Sequence, residues 1–84
     1  MSNDIVKGTG LTVTKDEYKR CEQHNGAHMV RTFTATKPGS YVHVAQEQGQ
    51  KMEVVVSHKG RTNMPPERLS ESDAKRYILN RLSE

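Results

Sequence analysis

The fold is decided between residues 29 and 57, by the runs Met29-Val30-Arg31-Thr32-Phe33-Thr34-Ala35-Thr36, Tyr41-Val42-His43-Val44-Ala45 and Lys51-Met52-Glu53-Val54-Val55-Val56-Ser57. Each run is rich in β-branched or aromatic residues at alternating positions, which is typical of strands with one buried face. Lys37-Pro38-Gly39-Ser40 separates the first two runs and Gln48-Gly49-Gln50 separates the last two, and both segments favour turns. The stretch therefore predicts a three-stranded antiparallel meander.

The turns also predict which residues pair. A hairpin closed around Pro38-Gly39 places Ala35 opposite Val42 and Phe33 opposite Val44, and a three-residue loop at 48 to 50 places Val44 opposite Val54, Val42 opposite Val56 and Glu47 opposite Lys51. The side chains of one face then form the core: Phe33, Ala35, Val42, Val44, Met52, Val54 and Val56. The other face carries Thr32, Thr34, Tyr41, His43, Glu53 and Val55, and a slip of one residue would exchange the two faces.

The segment before the meander carries a helix signature. Thr14-Lys15-Asp16-Glu17 fits a capping box, with Val13 and Tyr18 at the staple positions around it. Asn25-Gly26 is a stop signal, so we expect a helix from about 15 to 25. Ahead of it we expect a short edge strand at 10 to 13, with residues 1 to 9 either joining that strand or forming a mobile arm.

A second helix is expected after a long connection at residues 58 to 69. Pro65-Pro66 disfavours helix in that connection, and Ser70 is followed by acidic residues as an N-cap should be. Ala74, Tyr77, Ile78 and Leu82 then recur at helical spacing over 71 to 83. The expected fold is one small α+β domain spanning 1–84, a three- to four-stranded antiparallel sheet with two helices in the order β-α-β-β-β-α.

The composition limits the function classes. The 84 residues are 32% hydrophobic with one Phe and no Trp, so the core must be thin and a substrate cleft is not expected. The net charge of +3 is spread evenly, without the basic run typical of proteins that coat DNA. The single Cys21 cannot form an internal disulfide, and no apolar run suits a membrane span, so we expect a cytoplasmic setting and no membrane partner.

The histidines and the cysteine do not complete a catalytic or metal site. Cys21, His24 and His28, together with His43 and His58, resemble a set of zinc ligands, but a structural zinc site usually has a second closely spaced pair. A Cys21–His24 nucleophile would need an oxyanion site and an orienting group, and the sequence marks neither. We expect no metal, no cofactor and no enzymatic activity.

Basic residues after the meander make nucleic-acid binding the alternative function. Their side chains could contact phosphates, beside backbone amides at the start of the second helix: Lys59, Arg61, Arg68, Lys75 and Arg76. The order helix, sheet, helix is similar to the double-stranded-RNA-binding fold. That family places lysines at the start of its second helix, where this chain has Glu71 and Asp73.

The hairpin and the second helix carry another resemblance. Pro38-Gly39-Ser40-Tyr41 and Gly49-Gln50-Lys51-Met52, each leading into a strand, followed by an alanine-containing helix, resemble small phage accessory proteins of the anti-CRISPR type over about half of the chain. The resemblance implies a stoichiometric inhibitor that occupies a surface of a host protein or protein complex. Together with the connection at 58 to 69, the expected contacts lie on the outer sheet face, which would also suit a homodimer: Thr32, Thr34, Tyr41, His43 and Val55.

Overall fold

The computed structural model describes residues 3–23 and 26–83 and consists mostly of one antiparallel sheet. A 3-10 helix at Asn3–Val6 precedes the strands β1 (Thr12–Gln23), β2 (Gly26–Lys37), β3 (Ser40–Glu47), β4 (Met52–His58), β5 (Arg61–Thr62) and β6 (Glu67–Leu69), and the helix α1 (Glu71–Leu82) follows them. The strands lie in the order β1-β2-β3-β4-β5, and β6 pairs with β4 beside β5.

The central meander and its register are confirmed. Ala35 pairs with Val42 and Phe33 with Val44 across β2 and β3, and β4 places Val54 opposite Val44. Gly39 adopts a φ of +79°, which glycine reaches without strain, and this lets Pro38-Gly39 close the β2–β3 hairpin in two residues. All seven residues expected in the core from this register have buried side chains.

The helix expected at about 15 to 25 is wrong, because residues 15–23 belong to β1. Thr12–Gln23 pairs along its length with β2, with Gln23 opposite Gly26 and one irregularity between Val13 and Lys15. β1 pairs with β2 from Gly26 to Thr36, so the backbone groups of β2 that point away from β3 have strand partners. The hydrogen bonds of this β1–β2 hairpin outweigh a local capping signal worth about 1 kcal/mol. Asn25, part of the expected stop signal, lies outside the described residues.

The expected fold class is wrong, because the described part of the chain is mostly one antiparallel sheet with a single α-helix. Among residues 3–23 and 26–83 the sheet has six strands rather than three or four, and one α-helix rather than two. The expected order β-α-β-β-β-α becomes six strands followed by α1, and the strand expected at 10 to 13 is the beginning of β1.

The connection at 58 to 69 forms the far edge of the sheet. Lys59 and Gly60 have φ values of +53° and +77° and close a two-residue hairpin from β4 into β5. The chain then returns as β6, which pairs with the first part of β4. Between them the Asn63 side chain accepts a hydrogen bond from the Val56 amide at 2.6 Å and donates one to the Val54 carbonyl at 2.9 Å. Asn63 thus takes the place of a strand residue in the gap between β5 and β6.

One face of the sheet is covered by α1 and by the 3-10 helix. The helix starts as expected, with the Ser70 hydroxyl accepting from the Asp73 amide at 3.3 Å, and it buries Ala74 and Ile78. The 3-10 helix adds Ile5 and Val6 to the same core. The core therefore lies between one face of the sheet and these two helical segments.

The first hairpin is longer than the rest of the sheet. β1 and β2 each have 12 residues, whereas β3 has eight and pairs with β2 only from Val30 onward. The beginning of β2 is thus paired with β1 alone, apart from two hydrogen bonds between Met29 and Gln48. The Met29 carbonyl accepts from the Gln48 amide at 2.9 Å, and the Met29 amide donates to Gln48 Oε1 at 3.4 Å. The described residues accordingly extend over 42 × 22 × 21 Å.

Candidate protein-binding face

The outer sheet face is the side of the sheet opposite α1, and we define it by the five residues expected to bind a partner. The register places Thr34 opposite His43, and His43 opposite Val55, on adjacent strands. Because residues directly opposite each other point to the same side, these side chains lie together. The other two residues are Thr32 and Tyr41. Each lies two positions from Thr34 or His43 in the same strand, so its side chain points to the same face.

An aromatic pair lies in the middle of the outer sheet face. The Tyr41 and His43 rings are parallel within 8°, with centroids 6.5 Å apart, and Tyr41 is 41% exposed. The Thr34 hydroxyl and His43 Nδ1 are 3.1 Å apart, so a hydrogen bond fixes the orientation of the imidazole. The pair is a flat, oriented surface with polar tips, a type of surface enriched in protein interfaces.

Charged side chains flank the aromatic pair in compensating sets. On β1, Glu17 lies 3.8 Å from Lys15 and 3.6 Å from Lys19, measured between the charged atoms. On the other side, Arg68 of β6 lies 3.1 Å from Glu53 of β4. The outer sheet face therefore carries both signs at both margins, which suits a protein surface better than a phosphate backbone.

A shallow depression of about 370 Å³ opens beside the face, near the end of the β3–β4 hairpin. Val30 and Ala45 contribute apolar surface, while two acidic and two basic side chains also line it. The depression has no excess of either charge and no convergent set of catalytic groups. Its lining residues are Val30, Ala45, Gln46, Glu47, Gln50, Lys51, Glu53 and Arg68.

The five basic residues considered for nucleic-acid contact do not form one patch. Lys59 and Arg61 lie at the β4–β5 turn, and Arg68 is on the outer sheet face. Lys75 and Arg76 are exposed on α1, which packs against the opposite side of the sheet. Two of the five are already in ion pairs, Arg68 with Glu53 and Arg76 with Asp73 at 3.5 Å.

The residues considered for metal binding are also separated. Cys21 pairs with His28 across β1 and β2, whereas His43 and His58 lie on other strands. His24 lies outside the described residues, and no group of three possible ligands occurs within the part of the chain that the structure describes. Two neighbouring ligands are too few for a structural zinc site.

Ser40 and His58 form a serine–histidine pair that the sequence did not suggest. They are opposite each other on β3 and β4, with 2.5 Å between the hydroxyl and Nδ1. Ser40 is only 8% exposed, and its hydroxyl lies on the covered side of the sheet. A nucleophile must reach a substrate, so this geometry supports a structural hydrogen bond.

A buried ion pair on the covered side was also missed. The Arg31 guanidinium donates two hydrogen bonds to the Asp16 carboxylate, at 2.7 and 2.6 Å, and it lies 5.2 Å from the Tyr18 ring centroid. These hydrogen bonds lower the pKa of Asp16 and raise that of Arg31. Assigning Asp16 to a helix hid the pair, since only a strand brings it opposite Phe33 and beside Arg31.

The signal that could have revealed β1 is the spacing of its charges. Lys15, Glu17 and Lys19 alternate in sign at every second position, which places them together on one side of a strand.

Comparison with known proteins adds no relative: no protein-family model, curated protein or solved structure matches the chain. Within the described ranges no helix is both long and apolar enough to cross a membrane.

Proposed function

We propose that the chain is a non-enzymatic binding protein that contacts a surface of another protein through its outer sheet face. The observation that carries this proposal is the oriented Tyr41–His43 pair, on a side of the sheet that α1 and the 3-10 helix leave uncovered. A surface that combines an exposed aromatic ring with polar and aliphatic neighbours resembles the centre of a protein interface.

The charges favour a protein partner over a nucleic acid. Glu17 and Glu53 lie among the basic side chains of the outer sheet face, so a phosphate backbone laid across it would meet carboxylates. Affinity for nucleic acid depends largely on neutralising phosphates with unpaired cations. Nucleic-acid binding is therefore the alternative outcome of the experiment below.

The specific role we propose is stoichiometric inhibition of a host complex, as a phage or mobile-element accessory protein. Its support is the resemblance of the hairpin and the following helix. A small sheet that presents side chains without a catalytic cleft suits a role that depends on occupancy alone. We further propose a cytoplasmic setting, since Cys21 is the only cysteine and is free.

The test captures partners from a bacterial lysate, with and without nuclease treatment, using the tagged wild-type chain and three variants. Val55→Glu places a charge in the middle of the outer sheet face, and Tyr41→Ala removes its aromatic ring. Lys75→Glu is the matched control, because it also introduces a carboxylate but at an exposed position of α1. Circular dichroism verifies that each variant is folded.

We expect the wild type and Lys75→Glu to retain the same protein at constant stoichiometry. The two face variants should bind that protein at least about tenfold more weakly, as loss of a central interface residue does. An eluate that contains only nucleic acid, lost on nuclease treatment and weakening log-linearly with salt, would contradict the proposal. Full retention by Val55→Glu would also contradict it.

A further inference from the structure

The outermost strand, β1, exposes one whole edge. Within residues 3–23 and 26–83 it pairs only with β2, so the backbone groups along its other side have no strand partner. An edge of 12 residues is long enough to accept a further strand, and natural proteins usually protect such edges with charges, bulges or a partner. The side chains of β1 indicate which of these applies.

Two copies of one strand can pair only in certain registers. In an antiparallel pair with two-fold symmetry, directly opposite side chains point to the same side of the sheet, so the axis passes through one residue of each copy. Residues at equal distances on either side of the axis then face each other. The residue on the axis faces the same residue of the other copy.

The charges of β1 select a single central register. Any axis on a charged residue sets that charge against its own copy, and Tyr18 is the uncharged residue between Lys15 and Arg20. An axis on Tyr18 places Asp16 opposite Arg20 of the second copy on one side of the sheet. On the other side it places Glu17 opposite Lys19 of the second copy. Each of these pairs occurs twice in the dimer and always joins opposite charges.

Axes on the other uncharged residues of β1 are less favourable for pairing two copies. An axis on Cys21 lies two residues from the end of β1, so it pairs only a short segment and leaves Asp16 and Glu17 without opposite charges. An axis on Thr14 falls on the irregularity between Val13 and Lys15, where regular pairing is interrupted.

We propose that two copies of this chain associate by antiparallel pairing of their β1 strands, centred on Tyr18, to form one continuous sheet. The structure presents the central residue for contact, because Tyr18 is 59% exposed and lies over the Arg31 guanidinium, which Asp16 holds in place. The outer sheet faces of the two copies become continuous.

A disulfide measures the register directly. In a Cys21→Ser background, which contains no other cysteine, Tyr18→Cys places the two new thiols directly opposite each other. Their Cα atoms are then about 5 Å apart, within the range that a disulfide spans. The matched control is Arg20→Cys, on the same strand and the same side, whose two copies are separated by about 13 Å in this register.

We expect oxidation to link Tyr18→Cys into a dimer and to leave Arg20→Cys monomeric. Equal cross-linking of both variants would overturn the register. The unmodified chain provides an independent measurement by sedimentation equilibrium, in which we expect a reversible monomer–dimer transition. A monomer mass at every concentration would overturn the proposal and show that the charges of β1 protect a free edge.

Charge reversal tests the same pairs without cysteines. Lys19→Glu sets like charges opposite Glu17 at two places in the dimer, and we expect it to raise the dissociation constant about tenfold. The double variant Glu17→Lys/Lys19→Glu restores opposite charges and should return the constant to within about twofold of the wild type. Weak association of the double variant, with circular dichroism unchanged, would contradict the pairing.

Discussion

Arg31 is the residue whose environment is least ordinary in this molecule. It is only 5% exposed, in a sheet whose other central side chains on that side are hydrophobic. The cost of removing a guanidinium from water is offset by its two hydrogen bonds to Asp16 and by the Tyr18 and Phe33 rings, whose centroids lie 5.2 and 5.8 Å away. Removing one partner of this ion pair should therefore lower the free energy of unfolding by more than the net contribution of the pair to stability.

Replacing Asp16 by Asn should destabilise the protein in a pH-dependent manner. We expect Asp16→Asn to lower the free energy of unfolding by about 2 kcal/mol at neutral pH, since the buried guanidinium loses its charged acceptor. The pKa of Asp16 is lowered in the folded state, so its contribution is complete above its unfolded pKa of about 4 and is lost as the pH falls through the folded value.

Urea unfolding at a series of pH values between neutral and strongly acidic measures this difference. Glu53→Gln is the control, because its carboxylate pairs with Arg68 on an exposed surface and should cost no more than about 1 kcal/mol. A difference between the wild type and Asp16→Asn that did not narrow in acid would contradict the assigned ion pair.

At the scale of elements, the edge formed by β5 and β6 depends on one side chain. Asn63 bonds the amide of Val56, which pairs with neither short strand, and the carbonyl of Val54, which pairs with Glu67 of β6. We expect Asn63→Ala to lower the free energy of unfolding by about 2 kcal/mol, because the Val56 amide loses its partner and the Val54 carbonyl loses a hydrogen bond. Asn63→Asp should be similarly harmful, since a carboxylate cannot donate to Val54.

Thermal unfolding of these variants beside Thr62→Ala tests the role of Asn63. Thr62 is next to it in the chain, but its hydroxyl bonds only the exposed Ser57 hydroxyl at 3.0 Å, so its loss should cost little. Equal stability of Asn63→Ala and Thr62→Ala would show that solvent satisfies β4 at this gap.

The elements also show which parts of the fold and of the candidate site could be predicted from sequence. The meander could be predicted because alternation and turn residues are local signals, and the parity of its strands then predicted that His43 and Val55 share a face. β1 was missed because its capping residues favour helix locally, even though the alternating charges at Lys15, Glu17 and Lys19 fit a strand that pairs with the next strand in the chain. The Arg31–Asp16 pair was lost with it.

At the scale of the whole molecule, the core is completed by the N-terminal segment. Ile5 is fully buried among the core residues, and the 3-10 helix packs against α1. We expect Ile5→Ala to cost about 2–4 kcal/mol and Ile5→Val about 1 kcal/mol, as buried truncations do. Chemical denaturation measures both values.

The control for this prediction is Met64→Ala, which truncates an exposed hydrophobic side chain and should change the stability by less than about 0.5 kcal/mol. If Ile5→Ala were as stable as Met64→Ala, the 3-10 helix would not belong to the cooperative unit.

The unequal lengths of β2 and β3 also have a consequence for motion. Phe33 lies in the part of β2 with strands on both sides, whereas Ala27 is paired on one side only. Opening the β1–β2 hairpin near Ala27 breaks the pairing of β2 with β1 alone. Opening it near Phe33 breaks the pairing of β2 with both β1 and β3 and exposes the core. Backbone amides near Ala27 should therefore exchange with deuterium through local fluctuations, and those near Phe33 only when the whole molecule unfolds.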